Sequence, residues 1–407
     1  MKKKLSYSNE SCGLAAKRSN RLFIAGLTAV AVCFAACKGG GAEVTSDKEA
    51  ALQQAVTPYV NNTVIATYSA MADAGMVLLE QTGRILEKAG KNEDYSGLMK
   101  EAGTSWRLMR KYWEQSEAFL FGPAASHNID PHIDSWPLDF NAMNALLHDA
   151  ERMAAIEAEG GSYVGDKLGY ALKGFHAAEY LLFESVEKDG RAIGTGKPHA
   201  DNLTHAEAVY LTGIVEDLTQ QAILLEYCWA GEVSAAKMQV LKDGDVETFE
   251  DQYGRQMMNA GKAGSIYVTY QEAAEEIIAG CVDIAGEVAE LKMGNPYISS
   301  TAEERDYIES PYSCTSTEDF ADNIRSIQHA YCGAAAGDHS VSDYVRRQDT
   351  ELDAKVRKAI EEAIKAIEAI RDFESTAQNN PQVKAAMDRV AELEEVLDDE
   401  VLPLLSK

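Results

Sequence analysis

The chain has 407 residues, a net charge of −27, 46% hydrophobic residues and 25% charged residues. That length suits two domains or one large one, and the composition is that of a folded protein. The acidity excludes nucleic acid as a partner, because phosphate binding needs clustered Lys and Arg; it leaves a cation, a metal or plain solubility.

The N-terminus opens with Lys2, Lys3, Lys4, Lys17, Arg18 and Arg21, then an apolar run from Leu22 to Ala36. The run is too short to span a bilayer as a helix and has the form of a secretory leader. It ends Phe34-Ala35-Ala36-Cys37, similar to a bacterial lipobox with Phe where Leu is usual. The expectation is a signal peptide over 1–36, lipidation at Cys37 and a glycine-rich tether over 37–46. Ordinary secretory cleavage nearby is the alternative. No other apolar run is long enough to span a membrane, so the lipid would be the only membrane contact.

Helical signals begin at Ser46-Asp47. Pro58 predicts a kink or a new start. Val60, Val64, Tyr68, Met71, Val77 and Leu78 recur at helical spacing to about Leu86. A second helix is predicted over 95–121, with Leu98, Trp106, Met109, Trp113 and Leu120 near one stripe, and a third over 138–156. Between them, residues 124–137 are irregular and carry His127, Asp130, His132, Asp134 and Trp136. Irregular segments rich in ligand-type residues often carry function, although Asp and His there also serve as helix caps.

An apolar helix follows over 168–184, holding His176 and Glu179 on one face. Residues 188–201 read as a polar loop. Long helices are predicted over 204–229 and 246–293, the latter interrupted or loosened by Gly254, Gly261, Gly264, Gly280 and Gly286, and another over 317–331. Val356, Ile360, Ile364 and Ile367 make one stripe; Val383, Met387, Val390 and Leu397 make another. Asn379-Asn380-Pro381 separates them, predicting an antiparallel helical hairpin. Sustained period-two alternation is absent. The fold class is therefore all-α: two packed helical bundles over 47–235 and 236–407.

Of the seven cysteines, Cys228, Cys281, Cys314 and Cys332 fall within these bundles. An extracytoplasmic location permits disulfides. Cys314 and Cys332 are the nearest pair, and closing that loop would be worth about 3 kcal/mol. Cys228 and Cys281 sit in apolar helical patterns and read equally well as buried free thiols. No Cys-x-x-Cys spacing points to a structural zinc site.

His176 and Glu179 could grip one metal ion or share a proton. The plainer reading is a core histidine hydrogen-bonded to its neighbour, and His148-Asp149-Ala150-Glu151 repeats the spacing in polar surroundings. The segment Gly174-Phe175-His176-Ala177-Ala178-Glu179 nevertheless resembles the Gly-x-His-x-x-Glu signature of the imelysin-like family. Two further segments resemble it: Trp113 to Pro123 with Ser135-Trp136-Pro137-Leu138-Asp139, and Glu309-Ser310-Pro311-Tyr312-Ser313 with Asp319, Asn323 and Tyr331-Cys332-Gly333. Cys314 departs from the polar residue expected there.

The resemblance implies two packed helical bundles with a functional cleft between them, lined by the signature helix, and an envelope role associated with bacterial iron uptake. On that reading His176 and Glu179 are metal ligands. Glu117, Asp134, Trp136, Asp139, Glu309, Ser310, Tyr312 and Ser313 are ligand-binding candidates. Carboxylates with one imidazole suit iron first, then zinc or calcium. The partners expected are a metal or small metal-bearing ligand and envelope iron-uptake proteins, with the chain lipid-anchored in the envelope, on the periplasmic or surface side of the outer membrane. Two alternatives stand beside this. One is a metallopeptidase, with His176 and Glu179 on zinc and a carboxylate such as Glu309 activating water; zinc hydrolysis, however, needs three protein ligands and a base. The other is an envelope adhesin or glycan-binding lipoprotein in which the His–Glu pair is structural.

Overall fold

The computed structural model describes residues 47–188, 191–199, 203–301 and 307–407. The leader, Cys37 and the tether lie outside the described residues.

Helix α1 (Asp47–Pro58) runs into a π-helical stretch at Tyr59–Ile65, directly after Pro58, which has no N–H to give the carbonyl one turn back. Helices α2 (Ala66–Gly90) and α3 (Ser96–Glu114) follow. Their stripes bury Tyr68, Met71, Leu78, Trp106, Met109 and Trp113, while Val77 turns outward at 50% exposure. The short helix α4 (Gly174–Leu182) carries the His-x-x-Glu, and α5 (His205–Ala230) is held at its start by a Thr204–Glu207 capping box. Helix α2 packs between α3 and α5.

A second group comprises α6 (Tyr270–Glu287), α7 (Ser316–Cys332), α8 (Thr350–Glu368) and α9 (Pro381–Val396). The predicted hairpin is α8 on α9, with Val356, Ile360, Ile367, Val383, Val390 and Leu397 all buried. The groups meet where α7 lies on α3 and α6 meets the turn Glu117–Phe119. Among the described residues, no helix is long and apolar enough to cross a membrane.

Several expectations need correction. The segment read as a polar loop holds the second strand of an antiparallel hairpin, β2 (Arg191–Pro198), whose partner β1 (Phe183–Lys188) begins where a helix was expected to end. Its cause is tertiary. A Cβ on Gly194 would stand 2.2 Å from the Pro311 carbonyl oxygen, and the Gly196 N–H donates to Tyr312 O at 3.1 Å. Only a glycine-bearing strand can lie that close to another backbone.

The helix predicted over 246–293 breaks at two of the glycines expected to interrupt or loosen it: Tyr253–Met258 and α6 are separated by a loop in which Gly261 and Gly264 have φ of 79° and 93°. The helix predicted over 138–156 is two, because the Asp149 side chain accepts from Glu151 N and Arg152 N and starts a new helix. Helix α3 stops at Glu114 rather than continuing to 121.

The four cysteines are all free thiols. Cys314 precedes α7 and Cys332 ends it, so this 17-residue helix holds them about 24 Å apart at 1.5 Å per residue, far beyond disulfide reach.

Candidate functional site

Gly174 begins α4 with φ 74°, and a Cβ there would lie 2.1 Å from Ile133 O. The glycine thus lets the helix start against the backbone of the 129–134 turn. Two residues on, His176 arrives beside Asp134, with Nε2 3.0 Å from Asp134 Oδ1. One turn further, Glu179 Oε2 lies 3.6 Å from His176 Nδ1. The first contact is off the line of a good hydrogen bond and the second is too long for one, so both imidazole nitrogens are buried without a hydrogen bond. Burial opposes charging His176, but Asp134 and Glu179 outweigh it and hold the pKa at about 9.

The other oxygen of Glu179 organises the segment after Glu309. It accepts from Tyr312 N at 2.9 Å, Ser313 N at 2.7 Å and Ser313 Oγ at 2.7 Å. Ser310 and Cys314 flank this turn with φ of 51° and 54°, conformations that non-glycine residues hold only when their surroundings fix them. Ser310 Oγ donates to Asp319 on α7, and Arg107 reaches Ser313 O at 2.6 Å and Gly196 O at 2.9 Å.

At the centre is Arg110, 1% exposed. Its guanidinium meets Asp134, Glu309 at 2.6 Å, Glu114 at 2.7 Å and Asp319 at 3.4 Å. Lys292 stands 3.3 Å from Glu309 and 3.7 Å from both Glu114 and Glu117. Buried carboxylates Glu114, Glu117, Glu179, Glu309 and Asp319, with the Asp134 side chain at 6% exposure, therefore outnumber Arg110, Lys292 and a charged His176. Ions in a low-dielectric interior cannot stay so unbalanced. Burial pushes Glu114 and Glu117 well up and Asp319 to about 7, so protons fill part of the deficit. Asp134 also meets burial that favours its neutral form, but Arg110 and then His176 keep it well below the usual carboxylate range.

The sequence candidates are distributed as follows. Asp134, His176 and Glu309 each present a donor atom within 4.8 Å of the others; Glu114, Glu117 and Asp134 form a second such group. The Trp136 ring lies 4.6 Å from His176, its indole nitrogen buried without a hydrogen bond. Glu309 Oε2 is likewise unpartnered. Ser310, Tyr312 and Ser313 form the turn clasped by Glu179. Asp139 is elsewhere in function: it is exposed and caps the helix Phe140–Leu147 through Ala142 N. Arg110, Glu114 and Lys292 were not singled out from the sequence. Arg110 had a signal, since it falls between Trp106 and Trp113 on the buried face of α3; Lys292 had none.

Two surface clefts border this centre. One, about 450 Å³, is lined by Glu117, Asp130, Glu276, Asp283 and Glu287; the other, about 500 Å³, by Arg107, Arg110, Thr315, Asp319 and Asp322.

Fold and centre together define a protein of the all-α class, with one short β-hairpin, built around a buried carboxylate–imidazole–guanidinium cluster assembled from both parts of the chain. The chain belongs to the imelysin family, whose model matches residues 46–399. It is 28% identical over 389 residues to a protein named iron-regulated protein A from Synechococcus elongatus, covering 93% of this chain and 92% of that one. A crystal structure described as an iron-regulated protein A precursor from Parabacteroides distasonis superposes with a TM-score of 0.70 at 24% identity, over 90% of this chain and 97% of that one. An imelysin-like protein from Psychrobacter arcticum gives 0.61 at 12%, over 88% and 96%. These structures share the fold.

Proposed function

We propose that this protein is an envelope lipoprotein, anchored through Cys37, that binds a metal ion or a small metal-bearing ligand at Asp134, His176 and Glu309 and serves bacterial iron uptake with partner proteins of the envelope. The observation carrying this reading is the convergence of buried His176 and Glu309 with the Asp134 carboxylate, its side chain 6% exposed, all within 4.8 Å, with Glu309 Oε2 and both His176 nitrogens lacking hydrogen bonds. Carboxylate oxygens with one imidazole fit iron best, and the local excess of carboxylates favours any cation. Glu179 is read as the residue that holds the 309–313 turn, with one oxygen left toward His176. Arg110 already shares Asp134 and Glu309, so affinity for a bare cation is set by competition with the guanidinium. The iron assignment draws on the name of the Synechococcus relative.

The peptidase reading has less support. Glu179 and Glu309 each keep only Oε2 unengaged, and Asp134, which zinc hydrolysis would need as a third ligand, is already held by Arg110.

The test is metal analysis and iron titration of the purified protein, compared with His176→Ala, Asp134→Asn and Glu309→Gln. Stoichiometric metal in the wild type, lost in variants that stay folded, is the expected result. A wild type that neither carries nor takes up metal, alone or as a chelate, would sink the proposal.

A further inference from the structure

A different set of side chains lies outside the centre described above. His127 follows the short helix Pro123–Ser126, Cys228 is on α5 and Asp251 is in the loop before Tyr253–Met258. Their ligand atoms all fall within 4.8 Å of one another. The three come from segments far apart in sequence, and each is separately held. The His127 ring stacks on Phe249 with centroids 3.6 Å apart and planes 4° from parallel, and its Nε2 meets Asp251 Oδ2. Cys228 is fully buried, with the Phe249 backbone hydrogen-bonded to its sulfur. The Asp251 carbonyl is fixed by Gln256 Nε2 at 2.7 Å, and Tyr253 packs on Trp229 with ring centroids 4.9 Å apart.

We propose that His127, Cys228 and Asp251 form a second metal site, independent of the Asp134–His176–Glu309 centre, that takes zinc or a similarly thiophilic divalent ion. Thiolate, imidazole and carboxylate are the ligand types zinc accepts, at about 2.0–2.3 Å each. Tetrahedral ligands at those lengths lie about 3.5 Å apart, so the present span closes by about 1 Å, a movement that rotation of the Asp251 side chain about its fixed backbone can supply. As the metal–sulfur bond forms, the thiol proton leaves to solvent. The open position would face the adjoining cleft of about 460 Å³, lined by Glu250, Asp251, Gln252, Arg255 and Gln256. The sulfur separates this site chemically from the other centre, where the donors are oxygen and nitrogen only.

Cobalt(II) is the probe, because its bond to a thiolate gives a near-ultraviolet charge-transfer band that oxygen and nitrogen ligands do not. Titration into the full chain should give one equivalent of band-forming cobalt, displaced by zinc. Cys228→Ser should abolish the band. His127→Gln and Asp251→Asn, at partly exposed positions where folding is not at stake, should weaken binding at least about tenfold, the order of loss seen for weakened metal sites. His176→Ala should leave the band intact, so failure of the iron proposal would not affect this result. No band in the wild type, a band that survives Cys228→Ser, or one unchanged in both His127→Gln and Asp251→Asn overturns the proposal.

Discussion

Gly174 lies so close to Ile133 that no side chain fits between them: a Cβ would stand 2.1 Å from the Ile133 carbonyl oxygen. The contact seats α4 on the turn carrying Asp134 and so sets the distance between Asp134 and His176. Gly174→Ala combines a positive φ with a backbone collision. It is expected to cost at least about 1–3 kcal/mol and to lower the thermal midpoint by several degrees, read by circular dichroism. An unchanged midpoint would show that the two segments are not pressed together.

Glu179 should matter to stability whatever is bound. Glu179→Ala strands Tyr312 N and Ser313 N in the interior, at about 1–3 kcal/mol for each unsatisfied group. Urea unfolding should report the loss, and limited proteolysis should open the chain near 309–314. Glu179→Gln keeps an acceptor and should recover much of it. Equal damage from both variants would contradict a hydrogen-bonding role.

Removing Arg110 leaves Asp134, Glu309, Glu114 and Asp319 without their shared cation. Arg110→Met is expected to destabilise by about 3–5 kcal/mol, the cost of breaking a buried charge pair from one side. Adding Glu309→Gln to Arg110→Met should restore part of that. Additive losses in the double variant would place the two residues in separate environments.

Asp130 gives a pH signature. Burial first, then the charges of Asp134 and Glu287, raises its pKa to about 6. The unfolded value is near 3.9. A carboxyl raised on folding binds its proton more tightly in the native state, so its contribution is fully present below about pH 4 and is lost as pH rises through about 6. Asp130→Asn should therefore stabilise the protein at pH 8, by up to about 3 kcal/mol before solvent screening. The difference should vanish near pH 4. Urea midpoints for the two proteins across that range check the sign; a gap that widens toward acid would refute it.

The thiols predict that reducing agent shifts the thermal midpoint by less than about 1 °C, with Cys314 and Cys332 both titratable after unfolding. A cross-link between them would show as a clear drop on reduction.

Helical periodicity was legible wherever one face is buried against a partner, as in the α8–α9 hairpin with Val356, Ile360, Val383 and Val390. It misled where tertiary contact or a cap overrides it. Asp149 restarts a helix that looks continuous, and Gly194 makes a strand of a stretch whose composition reads as loop. The His176–Glu179 spacing correctly put the two side chains on one face, yet spacing could not show that Glu179 faces Ser313 while His176 faces Asp134. Arg110 was discoverable as a cation on the buried face between Trp106 and Trp113. The proposed Cys314–Cys332 loop could have been discarded from sequence alone, since the helix predicted over 317–331 already keeps the two apart.

The turn at 309–314 is gripped from both sides. Glu179 holds its backbone from within, and β2 lies against it from without, with Gly194 at the Pro311 carbonyl and Arg107 tying Ser313 to Gly196. A segment fastened on both faces cannot serve as a door. A ligand of the buried carboxylates would therefore have to enter along the flanks, where the acidic cleft at Glu117 and Asp130 and the mixed-charge cleft at Arg110 and Asp319 lie. The charges lining those two portals, more than any hinge, then decide what reaches the interior.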